Sequence, residues 1–119
     1  MKNPVVWFEV VGKDGTQLRS FYSDLFGWKI EGATGDMDYG LVAAADGGIG
    51  GGVGTSQDGS SGHVTFFVEV DDPAAYLKKV ERLGGKTLTP PMEIPTYNLT
   101  FAYFVDPEGH VVGLSKGAV

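Results

Sequence analysis

Hydrophobic residues follow two different periods in the first quarter of the chain. Residues 5–11 are rich in β-branched and aromatic types, which predicts a strand. The next apolar residues recur at helical spacing, which predicts an amphipathic helix whose apolar residues belong to the core. They are Leu18, Phe21, Tyr22, Leu25 and Phe26. Gly27 ends this helix, and short strands follow over 28–30, 39–43 and 49–53, with a turn-rich segment over 32–38.

The same pattern begins again at His63. A strand is followed by a helix that Asp72 caps, and Gly84-Gly85 ends that helix. Aligning Gly27 with Gly85 places Trp7 on Thr65, so the chain reads as a repeat of one unit. Further strands are predicted over 86–88, 99–105 and 111–115, with a Pro-rich stretch after 88 and a tight turn at 106–109.

This repeat predicts an α+β fold of two tandem βαβββ modules. Its length of 119 residues favours a single domain, 1–119. Module one covers about 1–54, a linker about 55–62, and module two about 63–119. Each module alone carries little apolar surface, so we expect the modules to pair, within one chain or between two.

Composition narrows the classes of function. The absence of cysteine excludes disulfides, thiolate catalysis and Cys-based metal sites. A net charge of −6 has the wrong sign for nucleic-acid binding, and no apolar segment is long enough to span a membrane. The chain begins without a signal-peptide pattern, which favours a cytoplasmic protein.

Glycine is unusually frequent, with 19 residues, and eight of them lie between Gly47 and Gly62. This segment reads as a flexible linker or as a thin strand that lets a ligand or another part of the backbone come close, and both readings can hold together. A phosphate-binding loop is disfavoured because neither a Lys-Ser/Thr pair nor a helix pattern follows the glycines.

Three motifs resemble the vicinal oxygen chelate superfamily, which includes glyoxalases, bleomycin resistance proteins and extradiol dioxygenases. They are the segment 21–28 after the first strand, Gly84-Gly85 after the second helix, and the segment 106–110 before the last strand. The resemblance implies curled mixed sheets around a concave pocket, commonly in a homodimer that can exchange modules.

Metal-dependent members of that superfamily hold a divalent ion with His, Glu or Gln side chains at fixed strand positions. Matching the motifs places three of those positions on Trp7, Thr65 and Gly113, and the fourth within 49–53. Trp, Thr and Gly offer neither an imidazole nor a carboxylate. The sequence therefore predicts a member without the usual metal ligands, and we expect no cofactor.

Strand alternation selects the candidate ligand-binding residues. Glu9 shares a face with Trp7, and Glu69 shares one with Phe67, Thr65 and His63. Both carboxylates interrupt apolar runs, so each faces either a wet pocket or a strand edge. Aromatic side chains add flat apolar surface. The predicted ligand-binding residues are Trp7, Glu9, Tyr39, His63, Thr65, Phe67 and Tyr103.

No catalytic residue is assigned, and His63 is the best candidate. An imidazole can act as a general base or donate to a ligand oxygen. The alternative is a histidine hydrogen-bonded at the start of a strand, with no function. His110 is expected to be exposed, and Tyr97 with Asn98 forms either a lid or a turn.

Three functions remain open at this point. The first is a metal-free protein that binds or sequesters a small organic ligand in a pocket between modules, as bleomycin resistance proteins do. The second is a glyoxalase-like lyase or isomerase that uses His63 or an unorthodox metal site. The third is a structural or regulatory partner domain whose interior is filled core. Whether the protein is an enzyme is left undecided, and a homodimer is expected.

Overall fold

A computed structural model describes residues 2–32 and 38–117 of the chain. The elements are β1 (Val5–Gly12), α1 (Gly15–Phe26), β2 (Ile30–Glu31), β3 (Tyr39–Val42), β4 (Gly50–Thr55), β5 (His63–Glu69), α2 (Pro73–Arg82), β6 (Lys86–Ile94), a 3-10 turn (Pro95–Tyr97), β7 (Leu99–Val105) and β8 (Val111–Gly117). Most of the predicted turn at 32–38 lies outside the described residues.

The predicted α+β fold of two tandem βαβββ modules is confirmed. In the first module the strand order is β2-β3-β4-β1, and in the second it is β6-β7-β8-β5. The first strand of each module pairs in parallel with the last, and the remaining pairs are antiparallel. The internal repeat read from the sequence is therefore a repeat of topology.

The chain forms two compact units, each with its own core. We call Trp7–Val64 the first unit, and the residues up to Val6 together with those from Thr65 onward the second unit. Each core is built from one helix and the sheet face beneath it. Val10, Val42 and Val53 are buried in the first unit, and Val70, Leu77, Ala102 and Leu114 in the second.

An aspartate caps the start of each helix, Asp14 for α1 and the predicted Asp72 for α2. The Asp14 carboxylate accepts from the backbone N–H of Gln17 at 3.0 Å, and the Asp72 carboxylate accepts from Ala75 at 3.2 Å. Gly27, with φ 72°, takes the left-handed conformation that ends α1. These local signals fix the helix ends before any tertiary contact is made.

The prediction that all the apolar residues of α1 belong to the core is wrong for Phe21, Leu25 and Phe26. Each is more than half exposed, whereas Leu18 and Tyr22 pack on the core. Hydrogen bonds to β4 orient the helix instead. They turn another side of α1 towards the sheet, so the apolar residues at its margin stay in solvent.

Two polar anchors set this rotation of α1. The backbone N–H of Gly15 donates to the Thr55 hydroxyl at 2.9 Å. The Arg19 guanidinium donates to the Val53 carbonyl at 3.2 Å and to the Asp38 carboxylate at 2.5 Å. Hydrogen bonds from Thr55 and then Arg19 hold the pKa of Asp38 below its ordinary value, so the carboxylate stays charged beside the guanidinium.

The sequence reading also missed most of β6. It predicted a strand over 86–88 followed by a Pro-rich stretch, but the strand continues through Pro90 and Pro91 to Ile94. β6 is an edge strand, where a proline without an N–H loses no ladder partner on the open side. Its register shifts between Thr87 and Thr89 and again between Thr89 and Met92, which accommodates the prolines.

The glycine-rich segment contributes the thin strand β4, and a thin strand is one of the two interpretations of its glycine content. A Cβ at Gly51 would overlap the Phe8 ring, and one at Gly52 would overlap the Tyr39 ring. Aromatic rings thus lie against the β4 backbone on both faces.

No helix in the described parts of the chain is long and apolar enough to cross a bilayer.

Candidate functional site

A buried carboxylate is the centre of the candidate site in the first unit. Glu9 on β1 is only 4 % exposed. The Tyr39 hydroxyl donates to its Oε1 at 2.9 Å, and Nε2 of His63 lies 2.6 Å from its Oε2. A carboxylate removed from water is costly unless hydrogen bonds replace its hydration. These two contacts supply such replacements, one at each oxygen.

Tyr39 links Glu9 to Trp7. The Trp7 indole N–H donates to the Tyr39 hydroxyl oxygen at 2.9 Å, while the same hydroxyl donates its own proton to Glu9. Burial, followed by the negative charge of Glu9, raises the pKa of Tyr39 above its ordinary value. The phenol therefore stays protonated and remains a donor. The three side chains form one continuous hydrogen-bond relay.

Of the two ionisable side chains in this contact, His63 and Glu9, His63 is the more accessible. Its side chain is 24 % exposed, against 5 % for the side chain of Glu9. It is the first residue of β5 and follows Gly62, whose φ of 83° and close approach to the Val11 carbonyl leave no room for a Cβ. A buried carboxylate that holds an imidazole at hydrogen-bond distance is an arrangement suited to orienting that ring.

The glycines of β4 make room for this relay. Gly50 and Gly52 pair with Trp7 and Glu9 of β1 in the parallel register. A Cβ at Gly50 would come 3.2 Å from Cζ3 of Trp7, and one at Gly52 would overlap the Tyr39 hydroxyl. The glycine strand is thus part of the candidate site, because the absence of Cβ atoms leaves room for the rings against its backbone.

A second group of predicted residues lies in the second unit. The Thr65 hydroxyl donates to the Val111 carbonyl at 2.6 Å, which ties β5 to the start of β8. The ring of Phe67 lies over Gly113, and its centroid is 5.3 Å from that of Tyr103 in an edge-to-face contact. Phe101 adds a third ring, 5.9 Å from Tyr103. This group is an aromatic surface with one anchored hydroxyl.

The predicted site residues therefore fall into two groups. The structure brings together Trp7, Glu9, Tyr39 and His63 in the first unit. It places Thr65, Phe67 and Tyr103 in the second unit. Their roles in ligand binding stay predictions.

The structure also shows the contacts or conformation of the other candidate residues, which are Glu69, His110, Tyr97 and Asn98. The backbone carbonyl of Glu69 accepts from the Asn3 amide at 3.0 Å, and its side chain is half-buried. His110 is exposed, as expected, and its Nδ1 lies 3.0 Å from Asp106. The backbone N–H of His110 contributes most to lowering the pKa of Asp106. Tyr97 ends the 3-10 turn, and Asn98 follows with φ 52°, so the turn reading describes this loop.

Sequence reasoning missed two residues on the aromatic surface. They are Phe101 and Ser115, which face each other across β7 and β8. Alternation along β8 carries the signal, because Ser115 is two residues from Gly113 and shares its face. A serine within a strand does not by itself indicate a site, because a hydroxyl is readily satisfied in many strand positions.

The metal-ligand positions of the superfamily do not fit a divalent ion here. The Trp7 N–H and the Thr65 hydroxyl are both engaged as donors, and Gly113 has no side chain. Residues 49–53 carry only apolar side chains or none. Within residues 2–32 and 38–117, no three His, Asp or Glu side chains meet in one group that could hold a metal. The donor set is thus that of a hydrogen-bonding site.

Fold and motifs together define a class of protein. The family model of the Glyoxalase/Bleomycin resistance protein/Dioxygenase superfamily matches residues 5–114, and the chain belongs to that superfamily. At three of the ligand positions of the metal-dependent members this chain carries Trp7, Thr65 and Gly113, which offer neither an imidazole nor a carboxylate.

Individual relatives agree with this membership. A glyoxylase-like domain-containing protein of Didymella fabae is 30 % identical over 119 residues, covering 86 % of this chain and 84 % of the relative. A superfamily member from Vibrio splendidus 12B01 matches with a TM-score of 0.65 at 16 % identity, over 97 % of this chain and 99 % of the other. Methylmalonyl-CoA epimerase from Mycobacterium tuberculosis matches with 0.68 at 14 % identity, over 97 % and 88 %. At these identities the solved structures show the fold alone.

Proposed function

We propose that the protein is a metal-free small-molecule-binding member of this superfamily, which binds a small organic ligand through Trp7, Tyr39, Glu9 and His63. The observation that carries this proposal is the buried carboxylate of Glu9. A structural core gains nothing from a charge that an apolar residue could replace, so a function is the better account of it. Membership of a superfamily that contains bleomycin resistance proteins supports the same proposal.

The chemistry of the group favours a ligand with a ring and a cationic or donor substituent. Trp7 and Tyr39 are half-buried, so their rings keep some surface for contact. Glu9 is the negative group in this hydrogen-bond relay, and the whole chain carries a net charge of −6. A cationic ligand gains from both, whereas an anionic ligand is repelled by both.

Benzylamine and benzyl alcohol test this proposal as a matched pair of probes, because they share the ring and differ in charge. We expect Glu9→Gln to weaken benzylamine binding by about tenfold or more, since a charge-assisted hydrogen bond is lost. Benzyl alcohol affinity should change by less than about threefold. Calorimetry and thermal unfolding on the same variants separate lost binding from lost stability.

Glu69→Gln is the control, because Glu69 is a half-buried carboxylate of the second unit. It should leave benzylamine binding unchanged. Equal losses in both variants would show that only the overall charge matters, which contradicts a site at Glu9. The affinities should also be the same with a chelator as with added Mn²⁺ or Zn²⁺. Stoichiometric binding of either ion would contradict the metal-free proposal.

The contact between His63 and Glu9 favours one second candidate, a glyoxalase-like lyase or isomerase with His63 as base. Deuterium exchange from D₂O into hydroxyketones or thioesters distinguishes it from simple binding. Exchange that His63→Gln abolishes supports the enzyme. A folded protein that neither exchanges these protons nor binds the probes supports the third reading, a structural or regulatory partner domain.

We also propose a homodimer in which the exposed residues of α1 meet those of a second copy. Phe21, Leu25 and Phe26 are 57 %, 58 % and 58 % exposed and lie on one helix. Exposed apolar clusters commonly mark interaction surfaces. Sedimentation should show a species of twice 12.6 kDa at micromolar concentration. Leu25→Glu should convert it to monomer, while Leu83→Glu, at a 70 % exposed leucine of the second unit, should not. A wild-type monomer contradicts the proposal.

Cytoplasmic location and the lack of nucleic-acid partners remain predictions from the sequence. The second of these rests on the net charge of −6.

A further inference from the structure

The second half of α2 and the start of β6 carry a local excess of positive charge. Four of the chain's nine Lys and Arg side chains lie within 78–86, and the one acidic residue of that segment is Glu81. Four positive charges and one negative charge give the segment a net charge of +3, whereas the whole chain has −6. We call the four cations and a neighbouring leucine the cationic surface, which consists of Lys78, Lys79, Arg82, Leu83 and Lys86.

Contacts between α2 and β6 place these residues in the same part of the second unit, and all five are exposed. The backbone N–H of Gly85 donates to the Val80 carbonyl at 2.9 Å. The Thr87 hydroxyl donates to the Glu81 carboxylate at 2.6 Å. Lys86 lies between these two anchored residues, so its backbone is held against the second half of α2.

The four cations are not neutralised by carboxylates of the same chain. Across residues 2–32 and 38–117, the carboxylates that form ion pairs are those of Glu9, Asp38 and Asp106, and none of them pairs with this surface. Lys78 and Arg82 are four residues apart on the helix, a spacing at which like charges repel each other. These charges therefore remain available to a partner.

Folding and solubility account for only part of this charge. Cations in the last turn of a helix interact favourably with its dipole, which explains Lys79 and Arg82 but not Lys78 or Lys86. Solubility does not require them, because in an acidic chain added cations bring the net charge closer to zero. Binding of an anionic partner is the better account of the remaining charge.

Leu83 adds an apolar side chain to this surface. It is 70 % exposed, and it directly follows the last residue of α2. Its backbone N–H donates to the Lys79 carbonyl at 3.0 Å, so the two residues are one helical turn apart. A complementary partner has carboxylates for the cations and an apolar side chain for Leu83.

We infer that the cationic surface docks an acidic protein segment that carries an apolar residue between its carboxylates. The inference goes beyond the proposed small-molecule function, because it uses none of the residues of that site. At physiological salt, charges act over about 8 Å, so a segment a few residues long meets mainly this surface. A bilayer or a nucleic acid also meets the rest of the acidic molecule and is repelled by it. A bilayer would in addition need more apolar area than one leucine offers.

Two synthetic peptides with blocked termini test the inference. They are Glu-Glu-Leu-Glu-Glu and its uncharged counterpart Gln-Gln-Leu-Gln-Gln. We expect wild-type protein to bind the Glu peptide about tenfold or more tightly than the Gln peptide, and added salt to weaken only the Glu peptide. The bound Glu peptide should shift the NMR amide signals of the cationic surface. Combining Lys78→Gln with Arg82→Gln should reduce the preference by about fivefold or more.

Lys13→Gln combined with Lys29→Gln is the matched control, because both lysines are exposed in the first unit and the net charge changes equally. This variant should keep the preference within about twofold of wild type. Leu83→Ser should weaken the Glu peptide by about threefold, and should leave unchanged the binding of Glu-Glu-Ala-Glu-Glu, which lacks the leucine. All the substituted side chains are exposed, so Tm should stay near that of wild type, and thermal unfolding verifies this.

Three results overturn the inference. One is an equal loss of preference in the two double variants, which would show that only the net charge matters. Another is a set of shifted amide signals that excludes the cationic surface. The third is the absence of any preference for the Glu peptide in a protein that binds phosphatidylcholine vesicles containing about 30 % phosphatidylserine, which would assign the surface to a membrane.

Discussion

Gly52→Ala should destabilise the protein by about 3–5 kcal/mol. The added Cβ would overlap the ring and hydroxyl of Tyr39, which lie on the β4 backbone. The ring cannot move aside cheaply, because its hydroxyl is bonded to both Trp7 and Glu9. The loss in free energy of unfolding therefore combines the cost of the overlap with the cost of the hydrogen bonds that would break if the ring moved. Denaturant unfolding measures this combined loss.

A control and a rescue make this result specific. At Gly32 a Cβ meets nothing within 4 Å and no unusual φ is required, so Gly32→Ala should stay within about 0.5 kcal/mol of wild type. Tyr39→Ala removes the ring that blocks the Cβ. In that background Gly52→Ala should cost much less than alone, a strong departure from additivity. If the costs of Gly52→Ala and Tyr39→Ala are additive, Gly52 is needed for its own backbone conformation and not to make room for the Tyr39 ring.

The fold was predictable because its signals are local and repeated. Helix periodicity and the caps at Asp72 and Gly27 fixed both helices closely, and repetition of the pattern after His63 gave the two modules. The burial of α1 was not predictable from periodicity. The anchors through Gly15 and Arg19 decide its rotation, and they bond to strand residues far away in the sequence.

β6 shows a second limit of sequence reading. Two prolines in a segment argue against a strand there, unless the strand lies at the edge of a sheet and has a shifted register. Edge position is a property of the whole sheet, which no segment of sequence shows by itself. The prediction therefore stopped at Leu88, while the strand continues to Ile94.

Part of the candidate site was predictable by alternation alone. Trp7 and Glu9 are two residues apart on one strand, and the structure joins them through Tyr39. The contact of His63 with Glu9 spans 54 positions and depends on how β5 begins. Ser115 was missed because its hydroxyl stands out only by having no hydrogen-bond partner among the described residues, which the structure alone displays.

Tyr39→Phe should have opposite effects on stability and on the binding of cations. The ring still lies on Gly52, but Glu9 loses the donor at Oε1 and the Trp7 N–H loses its acceptor. Removing one donor from the buried Glu9 carboxylate and the acceptor from the Trp7 N–H should cost about 2–4 kcal/mol of unfolding free energy. The same change removes the Tyr39 hydroxyl that competes with a ligand for Oε1 of Glu9, so benzylamine affinity should rise by about threefold or more.

Two measurements on Tyr39→Phe report the hydrogen bond directly. The chain has two tryptophans, so NMR resolves two indole N–H signals, and that of Trp7 should move upfield when its acceptor is lost. Tyr22→Phe, on α1, is the matched control, since its ring packs on the core and is not part of the relay. It should change stability by less than about 1 kcal/mol and leave the Trp7 signal in place. An unmoved Trp7 signal in Tyr39→Phe, together with unchanged stability, would mean that the relay does not exist in solution. Glu9 would then be held by His63 without Tyr39, and the rise in benzylamine affinity should disappear as well.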